Sequence, residues 1–365
     1  MIDSLDSSPF IFRKTELEQI STALVQDCDL IVTGVPGIGR RTLVRSAARQ
    51  VGVRHLEIDC LRCRSAKQFV QLFIDSINAV FSKPNEITKI NQWISAQPSP
   101  IGESLSTQNC LVWTAMSGKE WTLFEHLLSL PQFLAEALNC RAVIVFHNLA
   151  HIRIWDRQRK WETRLLQEIQ QQQQVSYVLV AIVADLWTQE VNLPIVALGP
   201  LSDQDMQTWI THKMAAAKLS FATDDQGLAA FVRYVQGHIK DAIALAQRIQ
   251  LICHADWAQG CRGEIQAHHV HSSMCALVKD VEVTFETLLL LLPPTQAKLL
   301  ESLSLDPTDR PQASAYIRKH HLSRGGSLQG ALSSLEQKGL VYGSQLGFRV
   351  SLPLLDFWIQ QSQYR

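Results

Sequence analysis

The segment Gly34-Val35-Pro36-Gly37-Ile38-Gly39-Arg40-Arg41-Thr42 constrains this chain more than any other. The apolar run Leu30–Thr33 enters it, and a helical stretch, Arg41–Gln50, leaves it. Glycines let such a turn bend so that its N–H groups converge on an anion at a helix N-terminus. A strand, a glycine-rich turn and a helix in that order are the setting a phosphate-binding loop requires. The pattern continues in the same style. His55–Asp59 reads as a second strand, and Ser65–Phe81 has the apolar spacing of an amphipathic helix. Trp121–Leu138 is helical with a break near Pro131, and Ala142–Phe146 is a strand. Trp161–Gln174 is helical and ends in the glutamine run Gln170–Gln174, before the strand Val175–Ala184. Strands separated by helices of this length imply an α/β fold, with a parallel sheet covered on both faces. The Pro/Ser/Gln-rich stretch Lys83–Thr107 reads as a loop or variable insertion.

The pattern changes at Pro200. Ser202 or Asp203 can cap a helix through Met206, Trp209 and Ile210, and Gly227–Val235 and Asp241–Ile252 continue as helices. No strand pattern appears between 201 and 280, so this part reads as all-helical. Beyond Asp280, Ala297–Leu303 is helical with Thr295 as its cap, followed by the short helix Tyr316–His320. Ser327–Lys338 is a third helix, stopped by Gly339. Leu340–Tyr342 and Phe348–Ser351 then flank a Gly343–Gly347 turn as two short strands. Three helices and a hairpin form a winged helix-turn-helix. The expected division is an α/β core over 1–200, a helical lid over 201–284 and a winged helix over 285–365.

Length agrees, since 365 residues suit two or three domains. Lys and Arg number 34 and so do Asp and Glu, which argues against coating nucleic acid by charge alone but leaves room for a local basic face. The runs Val178–Ala184 and Leu288–Leu292 fall far short of the roughly 20 residues that span a bilayer. The opening Met1-Ile-Asp-Ser-Leu-Asp has no basic n-region or apolar h-region, so the expectation is an intracellular, cytoplasmic chain without a membrane partner. Eight cysteines in a chain of this length are no disulfide framework. Cys60 and Cys63 form a CxxC pair without the second pair that a structural zinc needs. His268, His271 and Cys275 share a helical face, and a polar face near a linker explains them as well as a metal does.

On these motifs the chain resembles a P-loop ATPase of the AAA+/STAND group, close to the archaeal-type and origin-recognition ATPases. Phe10-Ile-Phe-Arg13-Lys-Thr-Glu16-Leu17 is similar to that family's entry segment, with Phe12 where glycine is usual. Residues 34–42 resemble its Gly-x-x-Gly-x-Gly-Lys-Thr-Thr loop. Gly237-His-Ile-Lys240-Asp-Ala242 resembles the lid segment that carries the second sensor. Ser327–Lys338 and Phe348–Trp358 resemble its winged helix and closing helix. The resemblance implies ATP or ADP as ligand, held by Gly34, Val35, Pro36, Gly37, Ile38, Gly39, Arg40, Arg41 and Thr42, with Lys240 either reaching a phosphate or standing exposed at a helix start.

The departures from the family bear on chemistry. Arg40 stands at the lysine position and Arg41 at that of the magnesium-binding hydroxyl, with Thr42 one residue later. Arginine's planar fork does not replace a compact ammonium. The strand Val143-Ile-Val-Phe146 ends in His147-Asn148 where the family has Asp-Glu. These residues supply neither an acidic magnesium shell nor a glutamate-type base. The strand to Ala184-Asp185 lacks the Ser, Thr or Asn of a first sensor. No catalytic residue is assigned and no metal is expected. Either the loop still binds nucleotide, Arg40 and Arg41 favouring an anion, or it only shapes the fold.

The same alternative applies to DNA. The expected recognition helix presents Gln329, Ser333, Ser334, Gln337 and Lys338 against Glu336, and Arg310, Arg318, Lys319, Arg324 and Arg349 surround it. No arginine on the helix reads guanine edges. The expected function is a DNA-associated regulator or scaffold with weak or absent ATP hydrolysis, self-assembling or bound to a partner protein. The alternatives are a slow ATPase of a transposition or defence system, drawing an acid from Asp59, Asp156 or Asp185, and a purely protein-binding adaptor.

Overall fold

The structure is a computed structural model describing residues 12–98, 105–107, 110–113, 118–169, 171–184, 192–223, 225–257, 263–323 and 325–362. The chain separates into two compact units. One holds 1–33 and 40–197, the other 34–39 and 198–365.

In the first unit, β1 (Leu30–Thr33), β2 (Arg54–Asp59), β5 (Ala142–His147), β6 (Val175–Ala181) and β7 (Ile195–Ala197) form one sheet in the order β2-β5-β6-β1-β7. Every pair is parallel. A parallel pair needs a crossover longer than a hairpin turn, and the intervening helices provide it. One sheet face is covered by Ala66–Val80 and Glu120–Leu127, whose Phe69 and Phe124 meet edge to face at 5.6 Å. Trp161 stacks on Phe124 at 4.8 Å. Burying such rings is worth several kcal/mol each; truncating one to alanine typically costs ~3–5 kcal/mol. Helix Ala66–Val80 begins at Ser65, whose hydroxyl accepts the Gln68 N–H.

The stretch 83–107 is not a plain loop. Pro84–Ser95 is a helix, and β3 (Leu105–Thr107) pairs antiparallel with β4 (Leu111–Trp113). Pro84 sits at the start, where a missing N–H costs nothing. Glu86 turns back to accept the Lys83 N–H at 2.9 Å, and Ile90, Trp93 and Ile94 are buried. Polar composition hid a short amphipathic helix. The helix around 121–138 does break, into Glu120–Leu127 and Leu130–Leu138. The helix expected over 161–174 stops at Glu168, before the glutamine run.

The second unit packs one apolar core from Met206 to Ile359. Ser202 caps Asp203–Ala216 by accepting the Asp205 N–H at 3.1 Å. Two two-residue strands, β8 (Ser220–Phe221) and β9 (Glu264–Ile265), pair in parallel, so this part is not purely helical. They are too short to leave an alternation pattern in the sequence. Helix Ala267–Leu291 runs through 284 without a break. Helix Pro294–Leu305 is entered from Pro293 rather than capped by Thr295. The helices Ser314–Lys319 and Gly326–Gln337 follow. The expected hairpin narrows to single bridges, Val341 with Val350 and Thr308 with Phe348, around a 3-10 turn at Ser344–Leu346. Helix Pro353–Ser362 closes the fold. No helix among the described residues is long and apolar enough to cross a membrane.

Candidate functional site

The turn after β1 has the backbone its glycines were read for. Gly34, Gly37 and Gly39 have φ of 147°, 86° and 98°, and Ile38 between the last two does not share the positive sign. Alternating signs of this kind make successive amides converge into an anion-binding concavity. Val35 and Ile38 are buried and anchor the turn, while Pro36 is half-buried.

Within the second unit, the lid segment clasps this turn from the carbonyl side. The Lys240 N–H donates to the Gly37 carbonyl at 3.1 Å. His238 Nε2 donates to the Pro36 carbonyl at 2.8 Å. The Asp241 N–H points at its Nδ1 at 3.3 Å. A Cβ on Gly37 would lie 2.6 Å from the His238 ring and 2.9 Å from the Lys240 Cβ. Lys240 therefore meets the loop through its backbone. His238, fully buried, lies inside the segment that resembles the lid, but sequence reasoning gave a role there only to Lys240.

Neither arginine after the turn has a free head group. The Arg40 guanidinium donates to the Ala181 carbonyl at the end of β6, and burial lowers its pKa to about 10. Arg41 is exposed, yet its guanidinium is tied to neighbouring side chains. Its Nε lies 3.2 Å from Glu57 Oε2 and 3.3 Å from His147 Nε2, and its Nη2 lies 3.6 Å from Asp59 Oδ2. Arg45, one helical turn on, grips Glu57 through two bonds of 2.6 Å. Thr42 is half-buried on the same helix.

Strand geometry explains the cluster. Leu56 and Ile58 point into the core, so His55, Glu57 and Asp59 face the other way. Asp59 pairs in register with His147, which puts both on that face. Two arginines meet two carboxylates, and the formal charge cancels. Desolvation alone would push the Glu57 carboxyl up; His147 beside it and the two hydrogen bonds from Arg45 hold it well below the usual carboxylate range. Burial takes His55 from its ordinary 6.5 down to about 4, only partly offset by Glu57.

Those two groups make the first unit acid-sensitive. A base with a depressed folded pKa leaves the unfolded chain binding more protons, so stability is lost as pH falls from 6.5 toward 4. Glu57, whose folded pKa is also depressed, contributes stability above its unfolded value and loses it as the pH falls further. Denaturant melts should lose up to ~3 kcal/mol between pH 7 and 4, and His55→Gln should flatten the upper part of that window. An unchanged slope in the variant would show that His55 is not the cause.

The end of β5 offers no acidic metal shell. His147 is buried, and Asn148 follows in a left-handed turn, its N–H donating to the Val180 carbonyl at 2.9 Å. Of the acids weighed as replacements, Asp59 belongs to the Arg41 cluster. Asp156 is buried and accepts the N–H groups of Lys160, Trp161 and Glu162, as a helix cap. Asp185 lies outside the described residues, as do Phe10 and Ile11 of the entry segment. Among the described residues no group of three His, Cys, Asp or Glu side chains is arranged to hold a metal.

On the winged helix, Gln329, Ser333 and Lys338 are exposed on one helix and its end. Gln312 Nε2 bonds Gln329 Oε1, and Lys338 Nζ reaches Gln296 Oε1 at 3.0 Å. Lys319 is less available than its position suggested: its Nζ lies 2.8 Å from Asp306, which His320 also contacts. Arg318 is exposed and carries no ion pair among the described residues. Arg324 lies outside the described residues.

Known proteins agree with this architecture. The family described as a probable winged helix domain matches residues 283–361. No curated protein matches the sequence. A Walker-type ATPase of Pyrococcus abyssi superposes with a TM-score of 0.67 at 12% identity, covering 96% of each chain. The Orc1 protein of Aeropyrum pernix, solved in complex with DNA, gives 0.49 at 11% identity over 98% of this chain and 94% of that one. The RuvB Holliday junction branch migration motor of Thermotoga maritima gives 0.48 at 13% over 93% and 92%. The first of these carries the comparison. The chain has the fold of that Walker-type ATPase, and residues 283–361 match the winged helix family.

Proposed function

We propose that this protein is a DNA-associated regulator or scaffold that binds ATP or ADP on the glycine turn and does not turn it over. The observation that carries the reading is the ion-pair cluster around Arg41. Where the resembling ATPases place a magnesium-binding hydroxyl, this chain has a cation already neutralised by Glu57 and Asp59. The anion cradle is retained, while the chemistry that would activate water is not. Nucleotide is held by backbone amides, with little dependence on magnesium. A lid over 201–284 and a winged helix over 285–365 remain the working division of the second unit.

Calorimetry with ADP, with and without magnesium, tests the binding step. Gly39 has a left-handed φ, so Gly39→Asp adds backbone strain and places a carboxylate in the nest. It should abolish binding. Absence of heat from the wild type, at protein concentrations suited to about micromolar affinity, would leave the turn with only a structural role.

The winged helix supports DNA association through phosphate contacts. Each phosphate neutralised on duplex DNA contributes about 0.9 to the log–log salt slope. Replacing Arg318, Lys319 and Arg324 together with alanine should lower that slope by up to ~2.7, equally across sequences. Lys319→Ala alone should contribute the least of the three, because Asp306 already offsets its charge. If the full chain binds no duplex at low salt, the protein is an adaptor that uses this domain to hold another protein.

A further inference from the structure

The second unit contains a hydrogen-bonded Tyr–His–Cys series that the proposed function does not use. Cys275 Sγ lies 3.6 Å from His271 Nε2, one turn earlier on the same helix. The other ring nitrogen, Nδ1, lies 2.7 Å from the Tyr234 hydroxyl. The side-chain amide of Gln361, on the closing helix, donates toward the sulfur at 3.8 Å. Phe357 packs edge-on against Tyr234 at 5.2 Å and holds that ring in place. The arrangement has the parts of an activated nucleophile: a sulfur, a ring nitrogen able to take its proton, a third group that orients the ring, and a donor aimed at the sulfur. The histidine is exposed and the cysteine half-buried, so small reagents can reach them.

We propose that Cys275 is a reactive thiol and a modification site for low-molecular-weight disulfides. His271 Nδ1–H donates to the Tyr234 oxygen, which leaves Nε2 to accept the Cys275 proton. The thiolate attacks one sulfur of the disulfide. A new S–S bond forms at Sγ and the reagent's own S–S bond breaks. The departing thiolate takes the proton back from His271 and leaves as a thiol. No other oxidant is consumed.

Cys28 and Cys110 are exposed and serve as internal references. Access alone would make both react faster than half-buried Cys275. The full chain is treated at neutral pH with a limiting aromatic disulfide, and the adducts are located by peptide mass spectrometry. Cys275 should be labelled about tenfold or more faster than either reference. His271→Gln should remove that advantage, and Tyr234→Phe should reduce it. At strongly alkaline pH, where hydroxide replaces the ring as base, the gap between wild type and H271Q should close. Labelling of Cys275 no faster than Cys28 and Cys110, or a rate in H271Q within about twofold of wild type, overturns the proposal.

Discussion

Given ATP and magnesium, the purified chain is expected to release phosphate at least ~1000-fold more slowly than the roughly 10 per second typical of enzymes. Phosphoryl transfer is catalysed almost entirely by positioning and by charge set against the developing anion. Here the second arginine after the turn is bound to Glu57, Asp59 and His147, and the first to the Ala181 carbonyl. The strand Ala142–His147 ends in a buried histidine, and an asparagine follows it. Restoring lysine with Arg40→Lys should therefore leave turnover at background, since Asp59 is committed to the Arg41 cluster and Asp156 to a helix N-terminus. Adding Arg41→Thr should not rescue it either. That change removes one cation from Glu57 and Asp59 and still leaves His147 and Asn148 in place. Magnesium-dependent turnover of about 1 per second or faster in the wild type would overturn this view.

The sequence resolves unevenly into this picture, and the reason is distance along the chain. The strands Leu30–Thr33 and Ala142–His147 were legible to within a residue, because an apolar run bounded by turn residues is a local signal. The order β2-β5-β6-β1-β7 was not, because pairing joins residues far apart. Arg40 and Arg41 were read as charges beside the turn, free to attract an anion. What commits Arg41 is a strand one crossover away, and only the packing of helix on sheet brings Glu57 and Asp59 to it. The same holds for Lys319, whose partner Asp306 precedes it by more than three helical turns' worth of chain. Cys275 and His271 shared a face by spacing alone; Tyr234 and Gln361, which turn that pair into a series, come from other helices.

Gly237→Ala should be the most destabilising single change of its size in the second unit. Helix Gly227–Val235 ends with Gln236 and Gly237 both left-handed, at φ of 46° and 75°. A left-handed conformation costs a residue with a Cβ about 1–3 kcal/mol. Space adds a second penalty. A Cβ at 237 would sit 2.3 Å from the Leu201 carbonyl oxygen and 2.7 Å from its nitrogen, both backbone atoms that cannot rotate aside. The Leu201 N–H already donates to the Gly237 carbonyl at 3.0 Å, so relieving the clash breaks a bond. Forced repacking of this kind typically adds ~1–3 kcal/mol, which brings the total to about 2–5 kcal/mol. Gly325 separates the two effects. It also has a positive φ, 71° with ψ −143°, a conformation that disfavours a Cβ, but among the described residues nothing lies within 4 Å of its Cβ position. Gly325→Ala should therefore show backbone strain without a clash, about 1–3 kcal/mol, in the same denaturant melt. The clash at 237 also displaces the residues just beyond it, His238 and Lys240, which hold the Pro36 and Gly37 carbonyls. Gly237→Ala should thus weaken ADP binding where Gly325→Ala does not. Equal stability losses in the two variants would mean that the chain at 237 moves aside freely and that the lid does not set the shape of the turn.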